Sequence, residues 1–325
     1  MFYKFLLCIL MFTKECFTND VNSNVSADMI KMGEQMELGT WVPRVVNGYP
    51  AKLGDVPYQI AIKFLVNRAR NLYMTICGAT LVAPNKMITA AHCFEERGIS
   101  NCHKLFYPGQ ASSGSLKHRY AVAGNLLNIA KYSASDSDGQ WRALNRVIYP
   151  KNYVFPKHDI AVAFSKAPFT YNAHVGPIPY AKRHTDYNGK CLVSGYGRTG
   201  QAAKDITKIL LLANLDIMRN EMCSKVHSRR MDLFVCTYSS VTDIGMGDDG
   251  GPLICKNTGD PNESTKGVLV GVVSGHASGK GSFFTRVSKY YGFVNKGSIS
   301  VFGLSLYLDI FLTITIAKIY KTFLY

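Results

Sequence analysis

The sequence has no internal repeat of fixed period, no collagen-like or low-complexity tract, and none of the common nucleic-acid-binding motifs. These absences exclude a solenoid, a fibre and a wholly disordered chain, and they remove nucleic acid from the expected partners. Acidic residues are scarce: 22 Asp and Glu stand against 37 Lys and Arg, for a formal net charge of +15. The basic residues are dispersed, densest at Arg68 and Arg70 and at Arg229 and Arg230. Dispersion of this kind reads as a solvated basic surface. It keeps a polyanion, a lipid surface or an acidic protein among the compatible partners.

The chain has 325 residues, 47% of them hydrophobic, enough for a sizeable core. It opens MFYKFLLCILMF, one Lys ahead of an apolar run, which predicts a secretory signal over residues 1–19. A polar leader without strong periodicity follows over 20–44. Export makes disulfides the expected state of most of the nine cysteines, Cys8 going with the signal. Acceptor sequons at Asn24 and Asn262 are compatible with export.

From Val45 to about Lys296, short β-type runs alternate with Gly, Pro, Asn and Ser turns: YQIAIKFLV, GATLVA, KMITAA, DIAVAF, GVLVGVVSG. This predicts an all-β domain over 45–297, with VSKYYGFVNK as one short terminal helix. Residues 298–325 form a hydrophobic tail. Its run from Val301 to Ala317 carries one charge, Asp309, and precedes Lys318 and Lys321. As a helix the run is about 25 Å long against a hydrocarbon core of about 30 Å, and Asp309 costs about 2.5–3.5 kcal/mol at its centre. A single-span anchor, a lipid-anchor signal beginning near Gly297, and a tail packed on the domain or a partner are the three readings.

Four stretches carry chemistry: Ile88-Thr89-Ala90-Ala91-His92-Cys93; His158-Asp159-Ile160-Ala161-Val162; Gly247-Asp248-Asp249-Gly250-Gly251-Pro252, with Asp243 shortly before; and Arg44-Val45-Val46-Asn47-Gly48. Together with CLVSGYG at Cys191–Gly197 and VVSG ending at Gly275, they resemble the chymotrypsin/trypsin family of serine proteases from about Arg44 to Lys296. The resemblance implies two six-stranded antiparallel β-barrels with a short C-terminal helix. It makes His92 the general base and Asp159 the carboxylate that orients it. It also implies that the backbone N–H groups of Gly247 and Asp249 form an oxyanion hole.

The same resemblance sets Asp249 where the nucleophilic serine belongs. A carboxylate is a weak nucleophile toward an amide, so the expectation is a non-catalytic homologue that works as cofactor, decoy or scaffold in a proteolytic cascade. An active trypsin-like endopeptidase cutting after Arg or Lys is the alternative. Asp243 matches the base of the primary specificity pocket, with Ser274 and His276 at its wall and mouth. Gly275 replaces the usual Trp, and His276 falls where Gly leaves room for substrate, so a narrowed pocket is expected. Val45 resembles the new N-terminus made when a trypsin-like protease cuts after Arg44, its ammonium pairing with Asp248.

By resemblance Cys77–Cys93, Cys191–Cys255 and Cys223–Cys236 pair, while Gly245 stands where relatives carry a pocket-bracing cysteine. Cys102 is left over, with Cys16 or a second chain as its candidate partners. The stretch from Asn101 to Leu116 reads as an enlarged surface loop. No cofactor and no metal is expected. Two carboxylates beside one imidazole should favour its charged form, and a divalent ion on His92 and Asp249 is the minor alternative. The location implied is extracellular, with or without a tether through 301–317.

Overall fold

The computed structural model describes residues 48–95, 109–197, 207–238, 244–245, 247–277 and 279–296. The leader with Arg44 and Val45, residues Cys16, Cys102 and Asp243, and the tail over 301–317 lie outside them. The chain divides into one compact unit up to Tyr291 and a second from Gly292 to Tyr325. Of the second, only the end of a short helix, α3 (Tyr291–Lys296), is described.

Strand β1 (Tyr49–Pro50) is followed by β2 (Gln59–Asn67), β3 (Leu72–Ala83), β4 (Lys86–Thr89), β5 (Arg119–Ala123), β6 (Ile129–Lys131), β7 (Gln140–Ile148) and β8 (Ala161–Ser165). Hydrogen bonding runs β2-β5-β7-β8-β4-β3, and β3 pairs back onto β2. That closes a six-stranded antiparallel barrel, with β6 added on the outside of β3. The second barrel uses β9 (Lys190–Gly195), β10 (Leu211–Met218), β11 (Phe234–Thr237), β12 (Pro252–Cys255), β13 (Val268–Ala277) and β14 (Gly281–Arg286). Its ring runs β10-β11-β14-β13-β12-β9 and closes through β9 on β10. Strand β1 joins this second sheet by pairing with β10. Closure satisfies the backbone groups that an open sheet would leave at its edges.

The strands are rich in Val, Ile and Leu because each barrel is filled by its own side chains. Ile60, Ile62, Leu81, Met87 and Val147 pack inside the first; Val193, Leu215, Leu253, Val270 and Phe284 pack inside the second. Full burial of each such side chain is worth about 1.5–3 kcal/mol. Disulfides join Cys77 to Cys93, Cys191 to Cys255 and Cys223 to Cys236. The last ties the short helix α2 (Asn220–Val226) to β11.

Two features depart from the all-β loop-and-strand reading. The described part of the 101–116 stretch is not a plain surface loop. Ser113–Leu116 form one helical turn, α1, capped by the Ser112 hydroxyl accepting from Ser115 N–H at 3.0 Å, and Ala111 and Ser115 are buried. The second is Lys63 on β2, which is 0% exposed. Its ammonium donates to Thr75 Oγ1 at 3.0 Å and to the carbonyls of Leu127 and Asn128 at 2.7 Å each, and lies 5.5 Å from the Tyr196 ring centroid. Burial lowers its pKa to about 7.

Candidate active site

Strand β4 ends at Thr89, and Ala90 and Ala91 follow with no room for larger side chains. His92 then opens a 3-10 turn, His92–Phe94, pinned to β3 by the Cys77–Cys93 disulfide. Strands β4 and β8 pair antiparallel with Thr89 opposite Ala161, so the residue after one and the residue before the other emerge at the same end. This register brings Asp159 to His92. His92 N–H donates to Asp159 Oδ1 at 2.9 Å, and the ring Nδ1 lies 2.7 Å from Oδ2.

The second barrel supplies the other side. The turn over Gly247–Gly251 leads into β12, with Gly247 at φ +104° and Gly250 at φ +76°, conformations that side chains disfavour. Asp249 C=O accepts from Gly78 N–H of β3 at 2.7 Å. A Cβ on Gly78 would lie 2.8 Å from Gly251 Cα, so the barrels meet here backbone to backbone. The contact aims the Asp249 carboxylate at the imidazole, with Oδ1 3.6 Å from His92 Nε2. Its Oδ2 accepts from Gly247 N–H at 3.3 Å.

His92 thus lies between two carboxylates of different character. Asp159 is fully buried and also accepts from the Ser274 hydroxyl at 2.6 Å, while its carbonyl accepts from Thr285 Oγ1 at 2.7 Å. Asp249 keeps 30% of its side chain exposed. Desolvation works against the imidazolium, but hydrogen bonding and charge from Asp159 and Asp249 outweigh it and raise the His92 pKa to about 10. The Phe155 ring meets His92 edge-on at 5.6 Å, and Phe155 and its neighbour Val154 are exposed apolar residues beside the site.

The remaining expected residues fall as follows. Asp248 is 1% exposed and accepts from Gly197 N–H at 2.7 Å and Gly245 N–H at 2.8 Å. Ser274, expected at a pocket wall, turns its hydroxyl to Asp159. His276 lies opposite Ser282 across β13 and β14, with Nδ1 3.2 Å from its hydroxyl. Beside Gly275 stands the Phe283 ring: a Cβ there would meet Phe283 Cζ at 2.6 Å. The Ser274 hydroxyl bond, the Thr285 bond and the Phe155 wall escape sequence reasoning, since no spacing links those residues to Asp159 or His92.

Among the described residues, the groups close enough to share a metal ion are Cys77, His92 and Cys93, and Cys223, His227 and Cys236. Each contains a disulfide-bonded pair, which leaves one imidazole as donor. His92 with Asp249 offers two ligands, one short of the three that protein zinc sites commonly supply. No helix among the described residues is long and apolar enough to cross a membrane.

Comparison with known proteins gives a consistent result. The family model described as Trypsin matches residues 45–294. Human kallikrein-11 is 27% identical over 261 residues, covering 78% of this chain and 80% of that protein. Mouse transmembrane protease serine 7 is 26% identical over 269 residues, covering 79% of this chain but only 29% of that longer protein. Among solved structures, neuropsin, a serine protease expressed in the limbic system of mouse brain, superposes with a TM-score of 0.59 at 20% identity, covering 78% of this chain and 99% of that one. The last likeness bears on the fold alone.

Proposed function

The chain belongs to the trypsin family, and from that premise we propose that it does not hydrolyse peptide bonds and works instead by binding protein partners. The observation that carries this reading is the Asp249 carboxylate, 3.6 Å from His92 Nε2, at the position where the family resemblance sets a serine. Attack by a carboxylate on an amide gives a tetrahedral intermediate that expels the carboxylate, with a pKa near 4, far more readily than the amine. The imidazole is already protonated at neutral pH and has no capacity to take up a proton. The Gly247 N–H, which would meet a developing oxyanion, is turned instead to a fixed negative charge.

Further features support a closed site. The His276–Ser282 hydrogen bond and the Phe283 ring beside Gly275 narrow the mouth of a pocket whose base would be Asp243. Cleavage after Arg44 by a trypsin-like protease would free Val45, and the buried Asp248 carboxylate is the group its ammonium would meet. The natural setting is extracellular, with residues 1–19 removed on export and 301–317 available as a tether. Partners would be proteins of a proteolytic cascade, with polyanions drawn to the basic surface.

The test uses Arg44-cleaved protein and basic chromogenic peptide substrates, comparing the natural chain with Asp249→Ser. No turnover by the natural chain is expected. Turnover gained by Asp249→Ser identifies the nucleophile as the missing part, and silence in both extends the defect to the pocket. Turnover by the natural chain overturns the reading.

A further inference from the structure

We infer that Asp249 is a nucleophile toward strained sp³ carbon, and that the Asp249–His92 pair opens an aryl- or alkyl-substituted epoxide through a covalent ester and releases a diol. This goes beyond the binding reading and needs no peptidase activity. The chemistry that fails at an amide succeeds at an epoxide because the leaving oxygen stays on the substrate. Ring strain drives the opening, and protonation of the freed oxygen prevents return.

The site holds the parts in order. Asp249 Oδ1 faces His92 Nε2 at 3.6 Å, which sets a proton donor beside the attacking oxygen. Asp159, locked on Nδ1, holds the ring in that orientation. In the first step the Asp249 Oδ1–carbon bond forms and the ring carbon–oxygen bond breaks with its electron pair. The oxygen takes the Nε2 proton. The products are a hydroxyalkyl ester of Asp249 and a neutral imidazole. Esterification removes one of the two charges that kept His92 protonated, so the same ring becomes a base.

In the second step His92 takes a proton from water as the water oxygen adds to Asp249 Cγ. The negative charge that develops on Oδ2 meets Gly247 N–H, its partner already at 3.3 Å. Collapse breaks the bond from Cγ to the ester oxygen, which leaves with the proton from His92. The carboxyl group then returns its proton to the ring. The sum is epoxide plus water to 1,2-diol, with no change of oxidation state and the charged pair restored. Phe155, 50% exposed and edge-on to His92, and Val154, 69% exposed, offer an apolar wall for the substituent.

The test incubates excess full chain with styrene oxide in H₂¹⁸O for a single turnover. The expected result is one ¹⁸O in the Asp249 carboxylate and none in the first diol, because the diol carries the former Oδ1. Asp249→Ala should reduce both diol and label to background. His92→Gln should slow diol release about 100-fold and leave the ester on Asp249. No diol above background, label entering the diol directly, or full activity in Asp249→Ala each overturns the proposal. The isotope measurement on the natural chain stands without any variant, so a misfolded mutant cannot hide a negative result. Peptide hydrolysis by the natural chain would sink the binding reading alone and leave this measurement to decide the epoxide step separately.

Discussion

Two nitrogen bases of the first barrel are withdrawn from water, and they move in opposite directions. Lys63 on β2 is fully buried among neutral acceptors, and desolvation lowers its pKa to about 7. His92, at the end of β4, keeps 22% of its side chain exposed and lies between two carboxylates, and its pKa rises to about 10. Carbonyls and a hydroxyl satisfy the hydrogen bonds of a cation without neutralising it. Carboxylates do both. The sign of a buried neighbour, more than the depth of burial, decides which way a base moves.

The largest effect expected on this contrast comes from Asp159→Asn. Removing the buried charge that holds His92 should cost about 3 kcal/mol of stability by urea denaturation and lower the His92 titration midpoint seen by NMR. A stable variant with an unmoved midpoint would mean that Asp249 alone sustains the imidazolium. Next is Lys63→Met, which fits the space but leaves the Leu127 and Asn128 carbonyls without their donor. A loss of about 2 kcal/mol is expected by the same measurement.

The pH profile sharpens the comparison. His92, raised from 6.5 to about 10, contributes stability fully present below pH 6.5 and lost as pH climbs toward 10. Lys63, lowered from 10.5 to about 7, acts in reverse: the unfolded chain binds more protons between those values, so its penalty fades as pH rises. The two slopes oppose each other. Thermal midpoints measured at pH 7.5 and 9.5 should show Lys63→Met declining more steeply than the natural chain and His92→Gln declining less or rising. Parallel profiles for all three would break the contrast. The smallest effect belongs to Asp249→Ala. Its carboxylate is partly solvated, so stability should change by less than about 1 kcal/mol. The His92 midpoint should fall, but by less than in Asp159→Asn.

Much of this was legible in the sequence. TAAHC, HDIAV and GDDGGP pointed to His92, Asp159 and Asp249, and the structure brings those three side chains together. The β-type runs fall within β2, β3, β4, β8 and β13 or overlap them by most of their length. What stayed hidden depends on tertiary cover. YQIAIKFLV reads as a strand, but the inward alternation of Ile60 and Ile62 gives no sign that Lys63 on the opposite face is also roofed over. That face is covered because a barrel wall meets other backbone on its outer side: Gln59, on the same face, accepts from the Ser194 hydroxyl of the second barrel at 2.6 Å. Helix α2 was missed for a different reason. Seven residues with only Cys223 buried give too little periodicity to show, and the disulfide to β11 holds what propensity does not.

The contact of Gly78 with Gly251 sets a tolerance on the whole assembly. Because main chain abuts main chain there, no flexible side chain is available to absorb a shift, and the gap between imidazole and carboxylate is gauged by the thickness of two peptide planes. A single methyl at position 78 would act as a shim, prying the halves of the cleft apart by tenths of an ångström and detuning the proton balance between them, while every polar side chain of the site remained chemically unaltered.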